Sequence, residues 1–185
     1  MPIWAIVLIV IAVLIVLWVI TSYNKLVRLR NKVEEAFSTM DVYLKKRYDL
    51  IPNLVETIKG YTQHESETLE KVVAARNLAV GATGIDDRIA SEQKLQTMMG
   101  PLYAISEAYP QLKADTHFSD LMGQLKGIEG EIANARKFYN AVVLKLNNAI
   151  EVFPRNIVAS LFHFTRKPLY EIADAAQREN VKVQF

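Results

Sequence analysis

Residues 3–20 form an unbroken apolar run of Ile, Val, Leu and Ala with Trp4 and Trp18 near its two ends. This run constrains the fold more than any other feature. As a helix rising about 1.5 Å per residue it spans about 27 Å, close to the roughly 30 Å hydrocarbon core of a bilayer. The indole rings, with Tyr23 a turn further on, suit the two interfaces, where an amphipathic ring can be half wet. A cleaved signal peptide is the competing reading. The run is longer than an ordinary signal core, no Lys or Arg precedes it, and no small-x-small cleavage site follows in Ile20-Thr21-Ser22-Tyr23. A single-pass anchor is therefore expected over residues 1–22.

Flanking charge sets its direction. Lys25, Arg28, Arg30 and Lys32 follow the run, with Lys45, Lys46 and Arg47 beyond them, and only the α-amino group precedes it. Because Lys and Arg resist translocation, the rule places the N-terminus outside and the rest of the chain on the cytoplasmic face of the cell (inner) membrane. Trp4, Trp18, Tyr23, Lys25, Arg28, Arg30 and Lys32 are the expected membrane-interface residues, with lipid as their partner.

The remainder reads as all-α. Glycine and proline number 7 and 6, and no β-branched alternation recurs until Val181-Lys182-Val183-Gln184-Phe185. Leu26, Val33, Phe37, Met40 and Leu44 carry a helical stripe onward from the anchor. Pro52 either starts a new helix or kinks a continuing one. Asp49 is placed to favour a start there, and Asn53 to bond nearby backbone. A second stripe of Leu54, Ile58, Tyr61, Leu69, Val72 and Ala79 ends at Gly81-Ala82-Thr83-Gly84, a turn. Asp86 or Asp87 can cap a third helix bearing Ile89, Leu95, Met98, Leu102, Ile105 and Tyr109. Pro110 and the polar residues after it close that helix.

Next, Leu121, Leu125, Ile128, Ile132, Ala135, Tyr139, Val142, Leu146, Ala149 and Phe153 step by four and three alternately. This is a heptad seam, which specifies a long helix packed at a shallow angle on its neighbours. The expected fold is a transmembrane helix continuing into an antiparallel up-and-down bundle with long coiled-coil-like helices over residues 23–165, followed by a tail over 166–185.

The motifs now suffice for a resemblance. Tyr23-Asn24-Lys25-Leu26-Val27 and Asp49-Leu50-Ile51-Pro52-Asn53-Leu54-Val55 resemble signatures of the LemA family. Tyr61-Thr62-Gln63-His64-Glu65, Ala75-Arg76, Tyr109-Pro110-Gln111-Leu112-Lys113-Ala114, Glu131-Ile132-Ala133-Asn134-Ala135-Arg136 and Phe138-Tyr139-Asn140 follow in the family's order. Leu146-Asn147 departs where the family more often has Tyr-Asn, and Phe162-His163-Phe164 where a Gly-Phe pair is common. The resemblance implies an N-terminal membrane helix with its short end outside, a cytoplasmic helical bundle, and no catalytic residues to carry over.

Chemistry is sparse. The chain has no cysteine, and its 22 basic against 20 acidic residues, a formal +2, give no reason to expect nucleic acid. Glu-x-x-His is absent, and His64-Glu65 lacks a second histidine because Thr68 occupies that place, so neither metal nor cofactor is expected. Ser91-Glu92-Gln93-Lys94 fits Ser-x-x-Lys without companion motifs and is assigned to a solvated face. No nucleophile, base and orienting group occur together, so the expectation is a non-enzymatic scaffold, with a sensory or regulatory adaptor responding to lipid, ligand or peptide as the alternative.

Homo-oligomerisation is expected from apolar residues outside the stripes, namely Val27, Leu29, Val143, Leu144, Phe162 and Phe164, and from the strand-like tail. An unidentified protein partner is the other expected occupant. Lys45, Lys46, Arg47, Asp49, Asn53, Phe162, Phe164, Val181, Val183 and Phe185 are the candidate contacts, with a solvated face followed by a bend as the other reading of the stretch from Lys45 to Asn53.

Overall fold

The computed structural model describes residues 2–62 and 64–170. Those residues are all-α, with helices α1 (Ile3–Lys59), α2 (Ser66–Gly81), α3 (Ile85–Ala108), α4 (Pro110–Ala114), α5 (Thr116–Glu151) and α6 (Arg155–Leu161). The expected strand-like segment, with Val181, Val183 and Phe185, lies outside the described residues. The chain divides into two compact units, to both of which α1 and α5 contribute. One is the chain up to Ser38 with Lys137–Leu169, and the other is Thr39–Arg136 with Tyr170.

In the first unit α1 carries the apolar run, whose large side chains are exposed from Ile3 to Ile20 apart from the half-buried Val19. Among the described residues one helix is thus long and apolar enough to cross a membrane, its best 18-residue window having a mean hydropathy of 3.4. Beyond the run, Leu26 clusters with Ala149 of α5 and with Val158 and Ala159 of α6, and the Phe37 and Tyr139 rings meet edge-on at 5.9 Å. Residue numbers rise along α1 as they fall along α5, so the two helices run antiparallel here.

After α6 the backbone is not helical, and side chains of α5 tie it down. The Asn147 amide donates to the Lys167 carbonyl at 2.9 Å and accepts the Lys167 N–H at 3.0 Å, while the Tyr139 hydroxyl donates to the Pro168 carbonyl at 2.9 Å. His163 adopts φ 55°, a left-handed backbone that glycine takes more readily.

The second unit is built from parts of α1 and α5 with α2, α3 and the short α4, and the directions of its long helices follow from side-chain contacts. Arg47 of α1 reaches Glu92 and Gln96 of α3, and further on Thr62 reaches Tyr109, so these two segments run parallel. Arg47 also meets Glu129 of α5 while Tyr61 meets Asp115, so α5 runs the other way. The antiparallel hairpin of α2 and α3 turns at Gly84, whose φ of 88° is left-handed.

Gly84 occupies the N-cap of α3, and Asp86 and Asp87 fall instead in its first turn, where their charge complements the helix dipole. Met99 is the buried methionine of α3, with Met98 half-covered. The segment at Pro110 forms the short α4, and α5 begins directly after it with Asp115 Oδ1 accepting the Phe118 N–H at 2.9 Å.

Pro52 neither starts nor ends a helix: α1 runs through it to Lys59. A proline removes the N–H that would reach the carbonyl four residues back, here that of Tyr48. Arg76 of α2 supplies the missing donor, its Nε lying 3.1 Å from the Tyr48 carbonyl oxygen. The helix continues because a neighbour satisfies the acceptor that proline leaves open.

Of the ten seam positions in and after α5, eight are buried and Ile128 is half-buried. Phe153 is not on the seam but 75 % exposed, because α5 ends at Glu151 and the chain turns before α6. Ile132, 3 % exposed, tests the seam. Truncating it to alanine should cost about 2 to 5 kcal/mol in denaturant unfolding, and a loss below about 0.5 kcal/mol would place it at the surface.

Candidate functional site

Within the second unit a charged cluster is buried at the level of Arg47. Met40, Leu44, Arg47, Tyr48, Ile51, Leu54, Val55 and Ile58 form the buried stripe of α1, so Arg47 and Tyr48 occupy core positions by helical spacing. Arg47 has no measurable exposure, and neither has its α3 partner Glu92. One guanidinium nitrogen, Nη1, donates to Gln96 Oε1 at 3.0 Å and to Glu129 Oε1 at 2.9 Å, and Nη2 donates to Glu92 Oε2. The Tyr48 hydroxyl donates to the other Glu92 oxygen. Arg47 Nε is covered and has no hydrogen-bond partner among the described residues.

A second ring of groups surrounds these. Arg88 lies over the Tyr48 ring at 6.0 Å and pairs with Asp41 at 3.6 Å. Arg136 lies over the ring of buried Tyr170 at 5.4 Å. Burial pushes the Glu92 carboxyl above the usual carboxylate range, against the pull of Arg47 and of the Tyr48 hydroxyl. Burial opposes the Arg47 charge, but Glu92 and Glu129 more than offset it and hold the guanidinium above its usual value. Burial, then the charge of Glu92, raises both Tyr48 and Tyr170. Burial likewise raises Tyr103. The cluster thus matches a buried cation to the buried Glu92 and the partly exposed Glu129, with the Tyr48 hydroxyl as a neutral donor.

This arrangement corrects the expectation for Arg47, which is a core residue and not part of an exposed contact face. Tyr48 is buried beside it, whereas Lys45, Lys46 and Asp49 are exposed. Lys45 pairs with Asp49 at 3.1 Å one turn on, Lys46 lies over the Tyr43 ring at 5.5 Å, and Asn53 is exposed. Asp49 has no helix start to favour, since α1 is continuous there. Asn53 takes part through its backbone, its carbonyl accepting the Thr57 hydroxyl at 2.8 Å. The structure therefore brings none of the other basic-run residues into the cluster.

Glu92, expected on a solvated face with Ser91, is instead buried, and Glu129 was not singled out in the sequence; the Arg47 that both meet lies 45 and 82 residues away. The one usable signal was the α1 stripe, which passes through position 47 between Leu44 and Ile51.

The expected interface residues stay at the surface. Trp4, Trp18, Tyr23, Lys25, Arg28, Arg30 and Lys32 are all exposed, and Arg30 lies over the Phe164 ring at 5.7 Å. Phe162 is exposed and rests on Tyr23 at 4.7 Å between ring centres, whereas Phe164 is half-buried against the Leu26 cluster. Val143, expected outside the core, is fully buried, and Leu29 packs on the Leu26 cluster. Leu144 is exposed.

His64 is exposed, and the Ser91 hydroxyl is turned to the Arg88 carbonyl at 3.0 Å. A groove of about 240 Å³ in the second unit is lined by Val55, Lys59, Leu69, Val73 and Asn77 among others and includes no member of the charged cluster.

A model of the LemA family matches residues 36–185. The chain belongs to the LemA family. It is also similar to a protein LemA of Metamycoplasma hominis, 27 % identical over 166 residues, an alignment covering 86 % of this chain and 72 % of that protein. The LemA match takes in Arg47, Glu92 and Glu129, and it begins after the apolar run of α1.

Proposed function

We propose that this LemA-family chain is a single-pass protein of the cell (inner) membrane whose cytoplasmic bundle is a non-enzymatic scaffold, self-associating or holding partner proteins at the membrane face. The observation that carries the reading is the way the bundle uses its buried charge. Arg47, Glu92, Glu129 and Tyr48 bond one another across three helices. A nucleophile or acid must reach a substrate, and these groups are directed inward at each other. Such a buried network favours one register of helix packing over its neighbours, which suits a rigid platform.

The tether rests on the exposed apolar run, which none of the described residues covers. Its direction rests on Lys25, Arg28, Arg30 and Lys32. Because the chain has no cysteine, a thiol placed at Thr83, in the exposed turn between α2 and α3, is unique. In intact cells it should resist a membrane-impermeant maleimide and react after permeabilisation. Rapid labelling of intact cells would put the bundle on the opposite side.

A further inference from the structure

The first unit carries an apolar surface that packing of its helices does not use. Val158 and Ala159 of α6 are buried against Leu26 and Ala149. Ile157 and Leu161, four residues apart on another face of α6, are 57 % and 66 % exposed. Val152 and Phe153 in the preceding turn are 59 % and 75 % exposed, and Phe162 after it 46 %. Five large apolar side chains within eleven residues make a patch of the kind that marks an interaction site.

We propose that this face is inserted into the interfacial layer of the bilayer, so that α6 and its flanking turns form a second, monotopic membrane contact beside the anchor. Three observations choose lipid as the occupant. The first is depth. The buried side of α6 packs with Val19 and Leu26, and Phe162 rests on Tyr23, so α6 sits level with the stretch of α1 where the apolar run ends. Trp18 and Tyr23 mark that level as the polar–apolar boundary. The second is proximity, since Val19, near the end of the exposed apolar run, packs against the cluster that holds Val158 and Ala159 of α6.

The third observation is charge. From Val152 to Arg166 there is no Asp or Glu, whereas Arg155 and Arg166 flank the apolar residues and Lys25, Arg28 and Arg30 follow the run on α1. Glu151, at the end of α5, is paired with Arg166 at 2.8 Å. An apolar face rimmed by cations fits a layer of acyl chains beneath anionic headgroups.

The inference rests on the anchor proposed above, and one experiment separates the two. Single cysteines replace Ile157, Leu161, Leu14 and Phe138 in the full chain, which is labelled with an environment-sensitive fluorophore. The protein is reconstituted in phosphatidylcholine–phosphatidylglycerol vesicles containing lipid with a nitroxide near the headgroup end of its acyl chain or, for Leu14, at its far end. Phe138 is exposed and adjoins Tyr139, which meets Phe37, about 21 Å along α1 from Tyr23.

I157C and L161C should lose most of their emission, as L14C does, and F138C should lose little. Quenching at L14C without quenching at I157C and L161C would overturn the inserted face and leave the anchor standing. If those two positions instead showed homotransfer between labels, a second copy would cover the face and the inference would fall. Equal quenching at F138C would show a bundle lying on the membrane as a whole, again overturning a specific role for α6. An unquenched L14C would remove the anchor and this inference together.

Discussion

Replacing Arg47 with methionine should cost the bundle about 3 to 5 kcal/mol, measured by urea denaturation in mild detergent with far-ultraviolet circular dichroism. Methionine keeps most of the side-chain volume, so the loss reports charge and hydrogen bonding and not a cavity. It leaves Glu92 buried without the guanidinium bonded to it, and takes the Arg47 donor from Gln96 and Glu129. Removing both charges tests that explanation. R47M combined with E92L should recover much of the loss, since the buried carboxylate goes as well, apart from about 1 kcal/mol for the hydrogen bond that Tyr48 gives up. Were R47M nearly neutral, the cluster would contribute nothing to the fold.

The same variant has a pH signature. Burial already raises Glu92, and loss of its nearest cation raises it further. In the unfolded chain a glutamate titrates near about 4.3. A folded value above that means the native state holds the proton more tightly, so stability is fullest below the unfolded value and falls as pH rises through the folded one. The stability gap between R47M and the parent should therefore be narrower at about pH 5 than at about pH 8. A gap independent of pH would show that Glu92 keeps its charge without Arg47.

Deleting residues 3–17 should transfer the protein from the membrane fraction, where only detergent extracts it, to a form that carbonate washes free. The segment is dominated by Ile, Leu and Val, each worth roughly −0.3 to −0.6 kcal/mol in a spanning helix, together roughly 4 to 7 kcal/mol of insertion free energy. The deletion spares Val19, which packs on the Leu26 cluster, so the helical content per residue of the remainder should persist. Retention in carbonate-washed membranes would show that the run is not what holds the protein there.

The long apolar stretch of α1 was legible from sequence because a run of apolar residues needs no tertiary context to be read, and the α5 seam because its period follows from helix geometry alone. What failed was local reading of residues whose fate is set at a distance. Arg47 looked like one more member of the run with Lys45 and Lys46, yet a helix turns neighbouring side chains to different faces, and position 47 shares its face with Leu44 and Ile51. At Pro52 the sequence left a new start and a continuing helix both open, because the Arg76 donor that meets the freed acceptor lies 28 residues from it. Val143, off the seam by count, is buried all the same. Of the expected contact residues, Phe162 joined a surface that its own helix packing defines, something no spacing rule displays.

The scaffold reading stands or falls on assembly. Mass photometry of the full chain in mild detergent, across a dilution series, should give a species heavier than one 21.0 kDa chain with its micelle, persisting on dilution, with a narrow distribution set by a closed symmetry. A single species of monomer mass at every concentration, with no co-purifying protein, would contradict the account.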